Sequence, residues 1–156
     1  MPSYTGTSGN DTYVTTAPPL TGDSFDGGDG SDTFVAASGT TPISGLFYSL
    51  LNPTNLVNFE VLQFGGPQGL RHQINVTSVQ AAQFNQIVGR DGDIDVLVVN
   101  VAMGVDFQLP TYTVSNFGSA SEMMVIRAQG FSNNPTGSTL RAANDLALTQ
   151  FLAGSF

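Results

Sequence analysis

The stretch GGDGSDTFV, residues 27–35, sets three glycines and two aspartates around a turn that leads into a Thr-Phe-Val run. It matches every fixed position of the nonapeptide G-G-x-G-x-D-x-U-x, in which U is apolar. Residues 6–14, GTSGNDTYV, repeat this pattern with Thr7 in place of the second glycine. Residues 18–26, PPLTGDSFD, keep only the aspartate, Asp23, and the apolar residue two positions later. We interpret these stretches as a repeat in which six residues form a turn and three form a short strand.

The turn part of this repeat predicts a binding site for a hard cation. Glycines adopt backbone angles that other residues resist, so successive carbonyl oxygens can point into the gap between two stacked turns. The aspartate at the sixth position adds an anionic oxygen. Six or so oxygens at roughly 2.3–2.6 Å suit Ca²⁺, whereas Mg²⁺ demands a tighter octahedron and retains water. We therefore expect Ca²⁺ at these turns.

Residues 6–35 resemble the calcium-binding repeats of the RTX (hemolysin-type) family of secreted bacterial proteins. The rest of the chain is similar in style to the degenerate solenoid repeats of RTX-type surface-layer proteins and adhesins. The resemblance implies that two nonapeptides make one coil and that each ion lies between repeats n and n+2, which pairs residues 6–14 with residues 27–35. The implied ligands are the carboxylates of Asp11 and Asp32 and the carbonyl oxygens of Gly6, Ser8, Gly28 and Gly30.

The second copy makes a weaker site. The same rule pairs residues 18–26 with residues 36–44, AASGTTPIS, where Thr41 occupies the position of the aspartate. Asp23 is therefore a candidate ligand that lacks a matching carboxylate. Residues 15–17 interrupt the register between the first two copies, which departs from the family pattern.

A second acidic cluster, RDGDIDV, places Asp91, Asp93 and Asp95 at alternate positions. This spacing begins an EF-hand loop, but Val96 replaces the required glycine and Ala102 occupies the position of the bidentate glutamate. Two interpretations stay open for the cluster. It is either a further calcium site or a solvated turn.

Beyond residue 36 the nonapeptide fades, while short runs rich in Val, Ile and Phe recur about every 10–20 residues between turn-forming residues. This spacing predicts an all-β fold, namely a parallel β-solenoid or β-roll with irregular coils. A β-sandwich of short strands is the alternative. We expect a single domain over residues 1–156, with nonapeptide coils at 6–35, a degenerate solenoid at 36–138 and a helical cap at 139–153.

Two stretches carry a helical pattern. Residues 78–89 predict a short helix that has Val79, Ala82, Phe84 and Ile87 on one face. Residues 139–153 predict a helix that begins at an N-cap of Ser138 or Thr139 and ends before Gly154. A helix in this place would cover the open end of a solenoid.

Composition excludes several classes of function. Twelve acidic residues against four arginines and no lysine leave a net charge of -8, which disfavours binding to nucleic acid and to anionic membranes. The absence of cysteine excludes disulfides and thiolate sites, and a single histidine, His72, excludes sites that need two imidazoles. We interpret this histidine as a residue at a strand edge. No apolar run approaches the length of a membrane span.

These observations lead to one hypothesis and one alternative. The hypothesis is a secreted calcium-binding β-solenoid, outside the cell or on its surface, with a structural, surface-layer or adhesion role. Its expected partners are an extracellular polysaccharide or further copies of itself, and the family resemblance implies type I secretion. We do not expect an independent catalyst. The alternative is an extracellular enzyme or carbohydrate-binding module acting on polysaccharide, which would draw on Glu60, Asp106, Glu122 or His72.

Overall fold

A computed structural model describes residues 3–15, 17, 19–37, 46–51, 55–102, 105–117, 123–128 and 140–142. Within these ranges the chain forms fourteen strands and one short helix. The predicted all-β class is therefore confirmed. The single helix of the described ranges is too short to cross a membrane.

The elements follow one another with short connections. In chain order they are β1 (Ser3–Thr5), β2 (Thr12–Thr15), β3 (Ser24–Asp26), β4 (Thr33–Ala36), β5 (Leu46–Ser49), β6 (Asn55–Val57), β7 (Val61–Phe64), β8 (Arg71–Thr77), α1 (Ser78–Gln83), β9 (Gln86–Val88), β10 (Ile94–Val101), β11 (Phe107–Leu109), β12 (Thr113–Ser115), β13 (Met123–Ala128) and β14 (Leu140–Ala142).

All strand pairs among the described residues are parallel. The strands form four sheets in the orders β1-β3-β6, β2-β4-β7-β9-β12, β5-β8-β10-β13 and β11-β14. Consecutive strands of the chain belong to different sheets. Two parallel neighbours in one sheet are therefore joined by a stretch of chain that contributes a strand to another sheet, and this stretch is the crossover that parallel pairing requires. Parallel pairing throughout differs from the antiparallel sheets of a β-sandwich.

The two best nonapeptides lie side by side. Strand β2 pairs with β4 so that Thr12 is opposite Thr33, which is a 21-residue offset. Strand β1 pairs with β3 at the same offset, with Ser3 opposite Ser24. The predicted pairing of residues 6–14 with 27–35 is thus confirmed, because the three inserted residues lengthen the connection without shifting the register.

The predicted partner of the second nonapeptide is wrong. Strand β3 lies between β1 and β6, with Ser24 opposite Asn55, so the strand of residues 55–57 holds the position predicted for the partner of residues 18–26. The reason is that Ala36 still belongs to β4 and that β5 intervenes before the chain returns to the β1 sheet. Residues 38–44, including Thr41, lie outside the described part of the chain.

The core lies between the sheets and is built from columns of inward-facing residues at the same register. In the β2 sheet this column is Tyr13, Phe34, Leu62, Ile87 and Val114. The three middle members are fully buried, whereas the two end members are partly buried. Aromatic rings from a second sheet complete the packing, since Phe25 contacts both Tyr13 and Phe34.

Helix α1 covers only the first half of the predicted helix. Thr77 caps its N-terminus in a capping box with Gln80, and Phe84 ends it in an extended conformation. The predicted apolar face is wrong, because Val79 is 80% exposed while Gln80 is buried. Six residues are too few for the helical period to reach Ile87, which belongs to strand β9.

The predicted C-terminal helix is wrong at the three residues that can be compared. Leu140–Ala142 forms strand β14, which pairs in parallel with β11. Pairing with a neighbouring strand satisfies backbone groups that a local helical pattern would have satisfied internally, so tertiary context overrides the local preference. Ser138, Thr139 and residues 143–154 lie outside the described part of the chain.

Candidate metal centre

The turns at residues 6–11 and 27–32 lie against each other because their glycines leave room for the backbone. A Cβ on Gly6 would lie 1.8 Å from the carbonyl oxygen of Gly27. A Cβ on Gly28 would lie 2.2 Å from the carbonyl oxygen of Thr7, and its φ of +91° is strained for other residues. The glycines of the repeat are therefore required by the contact between the two turns.

Backbone hydrogen bonds join the two turns along their length. The Gly6 amide donates to the carbonyl oxygen of Asp26 at 2.8 Å, and the Asp29 amide donates to that of Thr7 at 3.1 Å. Gly30 is also in close contact, since its Cβ would lie 2.8 Å from the Gly9 carbonyl oxygen. The structure thus places Gly6, Gly28 and Gly30 in the facing turns, and Ser8 lies exposed in the first of them.

The two predicted carboxylates are brought together at the end of these turns. The Asp11 amide donates to Asp32 Oδ1 at 2.7 Å. Asp11 Oδ2 accepts hydrogen bonds from the amide and the hydroxyl of Thr7, at 2.6 and 2.8 Å, which lower the pKa of the Asp11 carboxyl. Burial raises the pKa of Tyr4, and the negative charges of Asp11 and Asp32 raise it further.

Asp32 is the most unusual member of this group. Its side chain is 0% exposed, and its Oδ2 has no hydrogen-bond partner among the described residues. A buried carboxylate oxygen without a partner is costly, because it has lost the water that solvated it and gained nothing in exchange. A cation next to this oxygen would satisfy it. The buried oxygen and the glycine turns therefore fit a hard cation.

Sequence reasoning missed a third carboxylate at the same position. The Asp32 amide donates to Glu60 Oε2 at 2.8 Å, in the same way that the Asp11 amide donates to Asp32. Glu60 directly precedes β7 as Asp32 directly precedes β4. The turn before β7 is shorter than the glycine turn before β4, since only Asn58, Phe59 and Glu60 separate β6 from β7. We call Asp11, Asp32 and Glu60 the carboxylate ladder. In the sequence, the acidic residue Glu60 stands directly before the apolar run Val61–Phe64, and this pattern could have identified it as a member of the ladder.

Asp23, the third carboxylate predicted from the nonapeptides, lies away from this ladder. It precedes β3, which belongs to the β1 sheet, whereas all three ladder residues precede strands of the β2 sheet. Its buried carboxylate accepts a hydrogen bond from the Leu20 amide at 2.8 Å through Oδ2, which closes a local turn. Its Oδ1 has no hydrogen-bond partner in the described part of the chain.

The structure separates the three aspartates of the second cluster. Asp91 is exposed, while Asp93 and Asp95 are buried. Asp93 Oδ1 accepts from the Gly69 amide at 2.5 Å, and Asp95 Oδ2 accepts from the Arg90 amide at 2.6 Å. The Arg90 guanidinium is 3.4 Å from Asp93 Oδ2. Two of the three side chains therefore have protein partners, and the third points to solvent.

His72 belongs to this second cluster, and its interpretation as a strand-edge residue was wrong. The imidazole is buried on β8, and its Nδ1 lies 3.3 Å from Asp95 Oδ1 and 3.7 Å from Asp93 Oδ2. Asp95 is opposite His72 in the β8–β10 pairing, so the two side chains lie on the same face of the sheet. The alternation of His72 with the apolar residues Ile74 and Val76 was the sequence signal that could have placed it inside.

Within the described ranges, no group of three His, Cys, Asp or Glu side chains is arranged to hold a metal ion. A cation at the stacked turns would therefore depend on backbone oxygens as well as on carboxylates, as Ca²⁺ sites commonly do. Comparison of the chain with protein-family models, with curated protein sequences and with solved structures gave no match.

Proposed function

We propose that this chain is a calcium-binding β-solenoid with a structural role outside the cell or at its surface. Support for a solenoid comes from the parallel pairing of every described strand pair and from the regular change of sheet along the chain. Support for calcium comes from the stacked glycine turns and from Asp32. The resemblance of residues 6–35 to RTX repeats is consistent with both and suggests type I secretion.

The single observation that carries the proposal is the buried Oδ2 of Asp32. This oxygen lies in a turn whose glycines are in backbone contact with the turn of residues 6–11, and it has no hydrogen-bond partner in the described part of the chain. The possible metal ligands there are carboxylate and carbonyl oxygens, which are the ligands that Ca²⁺ prefers. The ion would be held by the predicted set of Asp11, Asp32 and turn carbonyls, and it would supply positive charge to a buried anion.

The charge of the N-terminal segment supports the same conclusion. Asp11, Asp23, Asp26, Asp29 and Asp32 lie close together in sequence with no basic residue among them. Bringing these carboxylates together in a fold without a cation costs electrostatic free energy. A divalent ion bound only by the folded state offsets this cost, so that the segment becomes more stable where calcium is abundant.

The alternative of an extracellular enzyme has less support in the described residues. Glu60 accepts a hydrogen bond from the Asp32 amide, and His72 is buried among aspartates. Glu122 lies outside the described part of the chain. The described contacts of Glu60 and His72 are therefore not those of a nucleophile beside a base or of a pair of acid–base carboxylates.

Isothermal titration calorimetry with Ca²⁺ tests the proposal. We expect the wild-type chain to bind with a Kd on the order of 10⁻⁴–10⁻³ M, as extracellular calcium modules do. Asp32→Asn should abolish this binding, because it removes the charge of the buried carboxylate. Asp29→Asn is the matched control: it removes the same charge from an exposed position in the same turn and should keep the affinity within a few-fold.

Two results would overturn the proposal. One is the absence of calcium binding by the folded wild-type chain. The other is equal affinity in Asp32→Asn and Asp29→Asn, which would show that general negative charge attracts the ion. If Asp32→Asn does not fold, the less buried Asp11→Asn takes its place in the same comparison.

A further inference from the structure

The β2 sheet ends at a strand that lacks the usual protection of a sheet edge. Strand β2 pairs with β4 on one side and with no described strand on the other. Its sequence, TYVT, contains no charged residue and no proline, and Val14 is 51% exposed. Natural edge strands are commonly protected by lysine, proline or a bulge, since an open edge can pair with another strand. This edge is therefore competent to pair.

The direction of the backbone groups identifies the free donors on this edge. The Thr33 amide donates to the carbonyl oxygen of Asp11. Alternate residues of a parallel strand bond to the same neighbour, so Asp11 and Tyr13 direct their backbone groups to β4. The backbone groups of Thr12 and Val14 consequently face away from the sheet.

The opposite end of the same sheet has a matching free edge. Strand β12 pairs with β9 and with no further described strand. The Thr113 amide donates to the carbonyl oxygen of Asn85, so the alternation directs the backbone groups of Val114 away from β9. A parallel sheet can be extended at either edge by a strand that runs in the same direction.

We infer that the β2 edge of one copy of this chain pairs in parallel with the β12 edge of a second copy. This inference rests on the proposed structural role and names the partner for it. The side chains support a second copy, because pairing in the existing register would place Val114 of one copy beside Tyr13 of the next. These two residues are the partly buried ends of a column whose other members are fully buried. The contact would continue that column from copy to copy.

The distribution of charge selects this arrangement over the pairing of two β2 edges. Six of the twelve acidic residues precede residue 61, whereas all four basic residues follow residue 70. A pair joined by two β2 edges would bring two acidic ends together, which like-charge repulsion opposes. Joining a β2 edge to a β12 edge avoids this contact. Because the two surfaces differ, the contact is heterologous and adds copies in a row.

Proline substitutions at the two edges test the inference by analytical ultracentrifugation. We expect the mass of the wild-type chain to rise with concentration, and Val14→Pro and Val114→Pro each to be monomeric when alone. An equimolar mixture of the two variants should form a one-to-one dimer, because each retains the edge that the other lacks. Val14→Thr keeps the β-branched shape and the amide, so this control should associate as the wild type does.

Several outcomes would overturn the inference. Monomers of the wild-type chain at every concentration would do so, as would wild-type association of Val14→Pro. Association of Val114→Pro alone would show that two β2 edges pair with each other. Circular dichroism checks that each variant is folded. If Val14→Pro is unfolded, Thr12→Pro removes the other free donor of the same edge.

The test separates this inference from the proposed function. Calcium binding by monomeric Val14→Pro should equal that of the wild type, because Val14 lies outside the stacked turns. If calcium does not bind but the two proline variants still complement each other, only the proposed calcium role fails. If calcium binds and the variants do not complement each other, only the pairing of copies fails.

Discussion

Glycine and aspartate have separate tasks in the stacked turns. The glycines allow two backbones to approach to a distance that any Cβ would prevent, as the 2.2 Å between a Cβ on Gly28 and the Thr7 carbonyl oxygen shows. The aspartates satisfy amides of the first turn, since Asp11 accepts from Thr7 within that turn and Asp32 accepts from Asp11 across the two turns. The pattern of the nonapeptide thus reflects contacts both within a turn and between turns.

A methyl group at Gly28 should destabilise the fold more than one at Gly92. Both residues have positive φ, but a Cβ on Gly92 meets no atom within 4 Å. Gly92→Ala should cost roughly 1–2 kcal/mol, which is the cost of a left-handed conformation. Gly28→Ala should cost more, because the strain adds to an overlap with the Thr7 backbone. Urea unfolding of both variants measures the difference, and equal costs would contradict the contact between the turns.

Acid should weaken the first turn through Asp11. Hydrogen bonds from the Thr7 amide and hydroxyl lower the pKa of this carboxyl in the folded state. Their stabilisation is present above the pKa of an unfolded aspartate, about 3.9, and is lost as the pH falls through the lower folded value. Thr7→Val removes the hydroxyl bond. We expect its melting temperature to fall less steeply below about pH 4 than that of the wild type.

The control for this measurement is Thr5→Val, which removes an exposed hydroxyl from strand β1. Its acid-dependent loss of stability should follow that of the wild type. The effect of Thr7→Val should be small, because Asp11 is only half-buried and solvent screens its interactions. Identical acid profiles in Thr7→Val and the wild type would show that the hydroxyl bond does not stabilise the carboxylate.

At the scale of elements, buried tyrosines join strands to their neighbours. Tyr48 is a buried residue of β5. Its hydroxyl contacts the side chain of Thr15 at the end of β2 and the carbonyl oxygen of Ala17. The Tyr112 hydroxyl, next to β12, donates to the carbonyl oxygen of Ala81 in α1 at 3.0 Å. The first contact connects two sheets, and the second connects the β2 sheet to helix α1.

Alkali should destabilise the protein through these tyrosines. Burial raises the pKa of Tyr48 to about 12, and burial also raises that of Tyr112. The folded state therefore keeps its protons above the ordinary tyrosine pKa of about 10, and stability falls as the pH rises beyond that value. Tyr48→Phe should reduce this loss, at a cost of about 1 kcal/mol at neutral pH for the lost hydrogen bond.

Thermal unfolding between neutral pH and about pH 11 measures the alkaline effect. Tyr13→Phe is a useful comparison, because Tyr13 is much less buried than Tyr48 and should contribute a smaller alkaline slope. A slope that is the same in Tyr48→Phe and in the wild type would contradict the raised pKa of the buried phenol.

At the scale of the whole molecule, the proposed calcium site and the hydrophobic core lie in different parts of the chain. The buried columns extend through the β2 and β5 sheets and are built from hydrophobic side chains. The stacked turns lie at the β2 end, where the aromatic residues Tyr4 and Tyr13 are only partly buried. Removal of calcium should therefore loosen the N-terminal repeats first and leave the central sheets folded.

Chelation of calcium should lower the stability of this end by a predictable amount. At a hundredfold excess over Kd, a ligand bound only by the folded state contributes about 2.7 kcal/mol. Hydrogen exchange with and without chelator should show faster exchange at the amides of β1 to β4 and little change in β8 and β10. Asp32→Asn should exchange rapidly at β1 to β4 under both conditions. Uniform protection in the presence of chelator would contradict the calcium dependence.

Local patterns were sufficient to predict the strand-rich class and to recognise the two best repeats, through signals contained within nine residues: turn-forming glycines, an aspartate and an apolar strand residue. The pairing of residues 6–14 with 27–35 was implied by the resemblance to RTX repeats. It placed Asp11 and Asp32 next to each other, as the structure has them. The calcium that these residues were predicted to bind stays a prediction.

The neighbours of residues outside the repeat were decided only by the tertiary structure. Glu60 joins the carboxylate ladder, and His72 meets Asp93 and Asp95, through contacts that span more than twenty residues. Such contacts depend on which strands pair and in which register, because a register shift of one residue reverses the direction of every side chain of a strand. Local patterns carry no information on these pairings, and so the same sequence that predicts its own strands does not by itself predict which strands become neighbours.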